Sequence, residues 1–429
     1  MSGQLNALRE LLPNEVIQEI CQECSYFFRT RLLTPVVTIF HMIGAAIIRD
    51  GSFQSAWHFS AQSGHSGSLA KARGRLPLEI WKKLHQWVVH QICQSHDSKH
   101  LWRGHRVIGI DGTCISMSDE PVLAEYFGRS KSQHGISRFP ISRVVIAFNL
   151  FTLVCLYQKI ACYKTSEKVL AEQMTAELRS GDIVVEDRGF YSYQHLWELV
   201  QQQLHFIQRS YSKFSLERCH MVRLLGSNDY LVNLPISKYA RQNNPTFPKF
   251  LQLRVIKINA RIKGKPESFW IMTSLLDSQI YPAHEIRSLY QRRWRVETLI
   301  EELKLWLGAD ILRSKSVEGI FKEIHARVVA YNLIHWLILE AAKKHRKKPE
   351  RLSTSAALRL TAAHSLKMSA APAWQLPLLY DELLNHIANS IVPFRPNRHE
   401  PRLKKREHKL YSRLKIPRSQ WKKLYAYAA

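Results

Sequence analysis

Acidic side chains are scarce in this chain. Asp and Glu total 35 against 62 Lys and Arg in 429 residues, a formal charge of +27. That imbalance opposes compaction and calls for a polyanionic partner, nucleic acid ahead of anionic membrane. A long uninterrupted apolar run is also missing. Leu32–Ile48 comes nearest, but His41 interrupts it, and Thr34-Pro35 supplies an N-cap and a first helical residue. A buried helix is expected there rather than a membrane span. The polar start has no apolar core region, so no secretory signal is expected. Cysteines number seven and are scattered. Cys21 and Cys24 form a lone C-x-x-C without a second pair at zinc spacing, so they read as one helix face near a core, in a reducing cytoplasm. There is no H-E-x-x-H, and His96, Asp97 and His100 read as a solvated loop. No internal repeat or low-complexity tract occurs. With 45% hydrophobic residues and this length, the chain can build two or three cored domains.

What is present changes character along the chain. Residues 14 to 95 read as mostly helical, with Phe53–Phe59 as a short helix and a turn over Gly64–Gly67. A further short helix opens at Ser68 and carries Lys71 and Arg73. Two readings stay open: a helix-turn-helix presenting cations to a major groove, or an ordinary bundle with a basic surface. Ser95–His100 marks a boundary. Beyond it Arg106–Ile110 reads as a strand ending in Asp111, and Ile141–Phe148 with Phe151–Lys159 as a hairpin around Asn149-Leu150. A helix over Ser166–Leu178 precedes a buried-type strand, Asp182–Glu186, ending at Asp187. Helix His195–Gln203 and strand His205–Arg209 follow. Residues 211 to 280 read as a β-rich insert, with strands at Tyr230–Leu234, Leu251–Ile258 and Ser268–Ser274. Helices are expected near 318–345, 354–369 and 376–390. From Arg395 to Lys423 the chain holds twelve Lys/Arg against two Glu, a composition that suits an arm lying along phosphates.

Three acids carry the chemistry. Asp111 and Asp187 follow strands, and Glu297 lies on the next long helix. In a sheet whose first and fourth strands are neighbours the two Asp meet, and a helix across that edge brings Glu297 to them. Three converging carboxylates repel unless cations intervene. Mg²⁺ fits such an oxygen site and leaves positions for phosphate oxygens and an attacking water. A pair of ions about 4 Å apart stabilises both the entering and the leaving oxygen at phosphorus. Asp97, Asp119 and Asp182 are read as surface residues. The helix around Glu297 also carries Tyr290, Arg293 and Lys304, at spacings of three, four and seven residues, within roughly an 80° arc of an ideal helix. By itself that face is either a site or a solvated surface with Arg293–Glu297 pairing.

The run Tyr290–Arg293–Glu297–Lys304 resembles the Y-x2-R-x3-E-x6-K signature of DDE transposases of the bacterial insertion-sequence-four family. Ile108-Gly109-Ile110-Asp111-Gly112-Thr113 is similar to that family's first acidic motif, and Glu186-Asp187-Arg188-Gly189-Phe190-Tyr191-Ser192 to its second. Ala330-Tyr331-Asn332-Leu333-Ile334 is also similar to family members, and the resemblance spans roughly residues 105 to 345.

The resemblance implies an α/β protein with a ribonuclease-H-like mixed-sheet core over residues 101–310. The insert at about 211–280 interrupts that core. A helical DNA-binding region, 1–100, precedes it, and a helical region with a basic tail, 311–429, follows. It implies that Asp111, Asp187 and Glu297 hold catalytic Mg²⁺ or Mn²⁺, two ions per site. Tyr290, Arg293 and Lys304 are implied to contact DNA phosphates. Arg188 either stabilises phosphate charge or pairs with Glu186. Phe269-Trp270 lies where relatives stack an unpaired base, and alternation leaves open which of the two faces it. Ile300 and Glu301 depart from certain hairpin-forming relatives, which carry basic residues there, so the hairpin step stays open. The function implied is transposition: cleavage at terminal inverted repeats and strand transfer into target DNA by a homodimer. The setting implied is bacterial, cytoplasmic and nucleoid-associated, with no membrane partner. Two alternatives are a nuclease of the same fold without strand transfer, and a non-catalytic DNA-binding descendant.

Overall fold

Val107–Ser116 forms β1, the strand from which the rest of the molecule is organised. In the computed structural model, residues 6–29, 31–48, 66–132, 135–137, 139–262, 265–305, 308, 312–393 and 420 are described. The expected helix at Phe53–Phe59 and the basic tail lie outside them, apart from Gln420. Apart from a two-residue pair, β2 (Lys131–Ser132) and β3 (Gly135–Ile136), the described strands are β4 (Ile141–Asn149), β5 (Cys155–Cys162), β6 (Ile183–Glu186), β7 (His205–Arg209), β8 (His220–Gly226), β9 (Asp229–Pro235), β10 (Phe250–Ile262) and β11 (Lys265–Thr273). They form one nine-stranded sheet in the order β5-β4-β1-β6-β7-β11-β10-β9-β8.

β1 pairs antiparallel with β4 from Ile108↔Asn149 to Ser116↔Ile141, but parallel with β6 only over Val107–Gly109. β6 and β7 are parallel. Three antiparallel strands followed by two parallel ones make the mixed α/β, ribonuclease-H-like core. β1 runs past Asp111 to Ser116, because β4 supplies partners all the way, so the expected strand end is only the end of the parallel pairing. β5 begins at Cys155 rather than Phe151. The Asn149 side chain accepts from the backbone N–H of Phe151 and Thr152, and Leu153 takes φ 65°, which together widen the turn.

The segment 211–280 does not fold apart. β11 pairs with β7 through Ile271↔Arg209, so the insert extends the same sheet. β8 is new relative to the sequence reading. It is an edge strand whose side chains are nearly all exposed, so no core face imprinted an alternation on it. Arg254 anchors the insert. It is fully buried, holds Asp229 through Nε (2.7 Å) and Nη2 (2.6 Å), and donates to the Tyr281 carbonyl.

Helices Glu167–Thr175 and Tyr193–Gln201 cover one face of the sheet, while Trp294–Leu305 and Val317–Lys344 cover the other. Tyr331 meets Phe148 edge to face, and Asn332 closes the β5 edge by bonding both N–H and C=O of Cys155 at 2.9 Å. Thr34 caps helix Pro35–Ile47 as expected. No helix among the described residues is long and apolar enough to cross a membrane.

Two readings of polar residues are corrected. Ser95–His100 is no solvated loop: helix Leu78–His96 runs into it, a 3₁₀ turn Asp97–Lys99 follows, His96 is buried against Glu340, and Asp97 is buried. Asp182 is not a surface residue. Arg106 grips it through Nε (2.8 Å) and Nη2 (2.5 Å), with Asp97 at 3.6 Å, so two acids share one buried guanidinium.

His325 faces the β4–β5 sheet edge, with Gln158 donating to its Nδ1 at 2.8 Å. Burial, then the neighbouring His85 and Lys82, push it down to about 3. Unfolded, it takes a proton near pH 6.5. Its folded value is depressed, so stability is lost as pH falls from about 6.5 toward 3. His325→Met should remove this part of the acid sensitivity. In urea melts, the stability lost between pH 7 and pH 4 is expected to shrink by about 1–3 kcal/mol. An unchanged loss would contradict a neutral buried imidazole.

Candidate active site

Gly109 decides how closely a helix approaches β1. A Cβ there would stand 2.3 Å from Val296 Cγ2 and 2.7 Å from Leu150 Cδ2. Only a residue without a side chain lets helix Trp294–Leu305 lie this close, and Val296 is followed by Glu297. Two residues beyond Gly109, on the same face of β1, is Asp111. The register that pairs Val107–Gly109 with Ile183–Val185 carries Asp111 opposite Asp187, just past the end of β6. Glu186 points to the other face, where His195 Nε2 (2.8 Å) and Gln208 Nε2 (3.2 Å) hold it. The three acids therefore meet at the carboxyl end of the parallel strands, beneath one helix.

Their electrostatics agree with that placement. Asp111 is raised to about 6, first by burial. The Gly112 N–H at 2.8 Å and Arg293 oppose the rise, and the charges of Asp187 and Glu297 add to it. Arg293, itself 8% exposed, donates from Nη2 to Glu297 Oε1 (3.1 Å) and places Nη1 3.9 Å from Asp111 Oδ2. Asp187 Oδ1 accepts from the Gly189 N–H at 2.6 Å. One guanidinium against three carboxylates leaves net negative charge at this end of the sheet. Hard oxygen donors of this kind suit Mg²⁺ or Mn²⁺.

The helix face of the sequence reading is broken. Helix Ala283–Gln291 ends before Arg292, and Trp294–Leu305 starts after Arg293. Between them the N–H groups of Arg293, Arg295 and Val296 bond three residues back, to Tyr290, Arg292 and Arg293. This 3₁₀ tightening winds the chain faster than an α-helix, so Tyr290 and Glu297 do not share an ideal stripe. Tyr290 is buried beside Phe269. Lys304 donates to Thr113 Oγ1 and the Cys114 carbonyl, both at 3.2 Å, and so pins the far end of the helix to β1.

Register resolves Phe269 from Trp270. Ile271 pairs with Arg209, which puts Phe269 and Arg209 on the face of Asp111 and Asp187. The Arg209 guanidinium lies 4.3 Å over the Phe269 ring. Trp270 turns to the opposite face, against Phe214 and Tyr230. Arg209 is the residue the sequence reading missed. Its only signal is alternation within β7, which means nothing until the neighbouring strand is known. Arg188 is exposed beside Asp187, and Glu186 takes His195 in its place.

Lys71 and Arg73 lie on helix Ser66–Arg75 but diverge. Arg73 turns inward to the charges of Glu323 and Arg327. Lys71 and Arg75 line a groove of about 750 Å³ with Phe27, Phe28, Arg29 and Arg31. Cations interleaved with exposed aromatics match the needs of a nucleic-acid strand.

The family model described as "Transposase DDE domain" matches residues 102–333. The chain is 26% identical over 344 residues to the transposase InsG for insertion sequence element IS4 of Escherichia coli, covering 79% of this chain and 76% of that protein. It is 21% identical over 344 residues to the "Probable transposase for insertion sequence element IS5377" of Geobacillus stearothermophilus, covering 79% and 86%. Among solved structures it is similar to a chain in the cryo-EM structure of the piggyBac transposase synaptic complex with hairpin DNA. The TM-score is 0.43 and the identity 12%, over 92% of this chain and 87% of that one.

Proposed function

We infer the reaction from one premise: the chain belongs to the DDE transposases of the insertion-sequence-four type, whose domain model covers residues 102–333. It is a transposase, an enzyme that cuts and joins DNA at the ends of an insertion sequence, and the family's chemistry uses divalent metal. In our reading Asp111, Asp187 and Glu297 are the catalytic acids and would hold two Mg²⁺ or Mn²⁺ ions. The observation that carries this is the gathering of three carboxylates from β1, the end of β6 and the helix over Gly109. Such ions supply Lewis acidity at phosphorus and a water or 3′-hydroxyl of lowered pKa.

The chain's own groups do the remaining work. Arg293 bridges Glu297 and Asp111, offsets their repulsion and holds both in place. Tyr290 and Phe269 wall the pocket on the insert side. Arg188, exposed next to Asp187, is assigned to the phosphate, and Lys71 to the DNA flank. Phe269 rather than Trp270 is the better candidate for stacking on an unpaired base, because it shares the acids' face. Lys304 serves DNA binding through its hold on β1. Joining two ends in one event needs two pockets, so the working form is taken to be a homodimer on paired terminal repeats.

The test uses the full chain with an oligonucleotide carrying the element's terminal repeat and a free 3′-hydroxyl, plus supercoiled target plasmid. Joined products that need Mg²⁺ or Mn²⁺ are expected. Plasmid nicking without joining would reduce the reading to a nuclease. Binding to the repeat should weaken by about 10³-fold or more between 50 and 200 mM salt, as counterions return to the phosphates.

A further inference from the structure

A second cluster of metal-ligating side chains lies away from the carboxylate pocket. His364 is on helix Thr354–Ala370, while Glu382 and His386 sit one turn apart on helix Leu376–Asn389. One ligand atom from each comes within 4.8 Å of the others. We propose that His364, Glu382 and His386 form a binding site for a borderline divalent cation of the zinc type, which ties these two helices together.

The central observation is His364. It is 2% exposed, and its Nε2 is buried with no hydrogen-bond partner. Its Nδ1 faces the Leu360 carbonyl at 3.0 Å. A carbonyl only accepts, so Nδ1 carries the proton and Nε2 is a bare lone pair. Metal-bound imidazoles are oriented in this way, one nitrogen donating to a backbone carbonyl and the other turned to the ion. A buried acceptor left unpaired destabilises the fold, and a bound cation would offset that cost.

The spacing points the same way. Glu382 Oε1 stands 3.8 Å from His364 Nε2, too far for a hydrogen bond. Two ligands at about 2.0–2.1 Å from one tetrahedral ion stand roughly 3.4 Å apart. The His364 and His386 rings meet edge to face at 5.3 Å. Two imidazoles and one carboxylate, with water as a fourth ligand, favour zinc over magnesium. Glu382 also accepts from Lys367 at 3.2 Å, but Lys367 is more than half exposed and can release it to solvent. The donors come from two helices, so the ion would act as a clip and not as a catalyst.

The experiment titrates the full chain with Co²⁺, and separately with Zn²⁺, in excess Mg²⁺ to saturate the carboxylate pocket. The Asp111→Asn variant serves as a control. One equivalent of Co²⁺ with a tetrahedral visible spectrum is expected, retained in Asp111→Asn, and Zn²⁺ should raise the thermal midpoint. His386→Gln and Glu382→Gln, at partly exposed positions, should each weaken binding by at least about tenfold without changing the metal-free melt. Binding unaffected by either variant would overturn the site, as would no retained Zn²⁺ under excess Mg²⁺.

Discussion

Asp111→Asn should yield a protein that is more stable than the parent without metal, and inert. Rates of end cleavage and joining should fall by on the order of 10³-fold or more, since a neutral amide cannot anchor a catalytic cation. Stability should move the other way. The folded value of Asp111 is raised from 3.8 to about 6 by burial and by its acidic neighbours. An acid raised in the fold favours the native state only while it keeps its proton. Its burden therefore grows as pH rises from about 4 through 6, and is complete above that. At pH 8 with chelator, the Asn variant should gain about 1–3 kcal/mol; below pH 4 it should gain nothing. Urea melts at both values, beside a cleavage assay, measure the two effects separately. A variant that loses stability at pH 8, or keeps its rate, would remove Asp111 from the pocket. Asp187→Asn and Glu297→Gln should lose the rate in the same way.

Gly109→Ala should damage catalysis without removing a single functional group. Its new Cβ would meet Val296 Cγ2 at 2.3 Å and Leu150 Cδ2 at 2.7 Å, so the helix must lift or Leu150 must turn. Overpacking of this sort costs about 1–3 kcal/mol. Glu297, one residue beyond Val296, moves with the helix, and a displacement of about 1 Å at a reacting centre costs on the order of 10²-fold in rate. Binding to the terminal repeat should stay nearly constant, because the basic groove lies elsewhere. The double variant Gly109→Ala/Val296→Ala should recover much of the rate even though Val296→Ala opens space in the core. Failure of that rescue, with the fold intact, would mean the helix–strand contact does not position Glu297.

Much of this was legible in the chain. The Thr34-Pro35 cap, the strands ahead of Asp111 and Asp187 and the helix bearing Glu297 all lie close to where residue pattern places them, because each is written in local spacing. Misread residues share a physical cause. Asp97 and Asp182 looked exposed because polar residues usually are, and nothing nearby in sequence announces that Arg106 will reach both. β8 left no trace because neither of its faces meets the core. The break at Arg292-Arg293 carries no Pro or Gly to mark it.

The sequence by itself determined the chemistry available: two carboxylates next to short apolar strand runs and one on a helix, an excess of cations, and a glycine at 109. Those are matters of residue type and short spacing. Only the tertiary structure decided which groups share a pocket. Parallel register set Asp111 beside Asp187, antiparallel register sent Phe269 to the acids' face and Trp270 away, and the insert joined the core sheet instead of folding apart. Strand pairing is a contact between distant parts of the chain, and a shift of one residue reverses every face, so no local pattern can fix it.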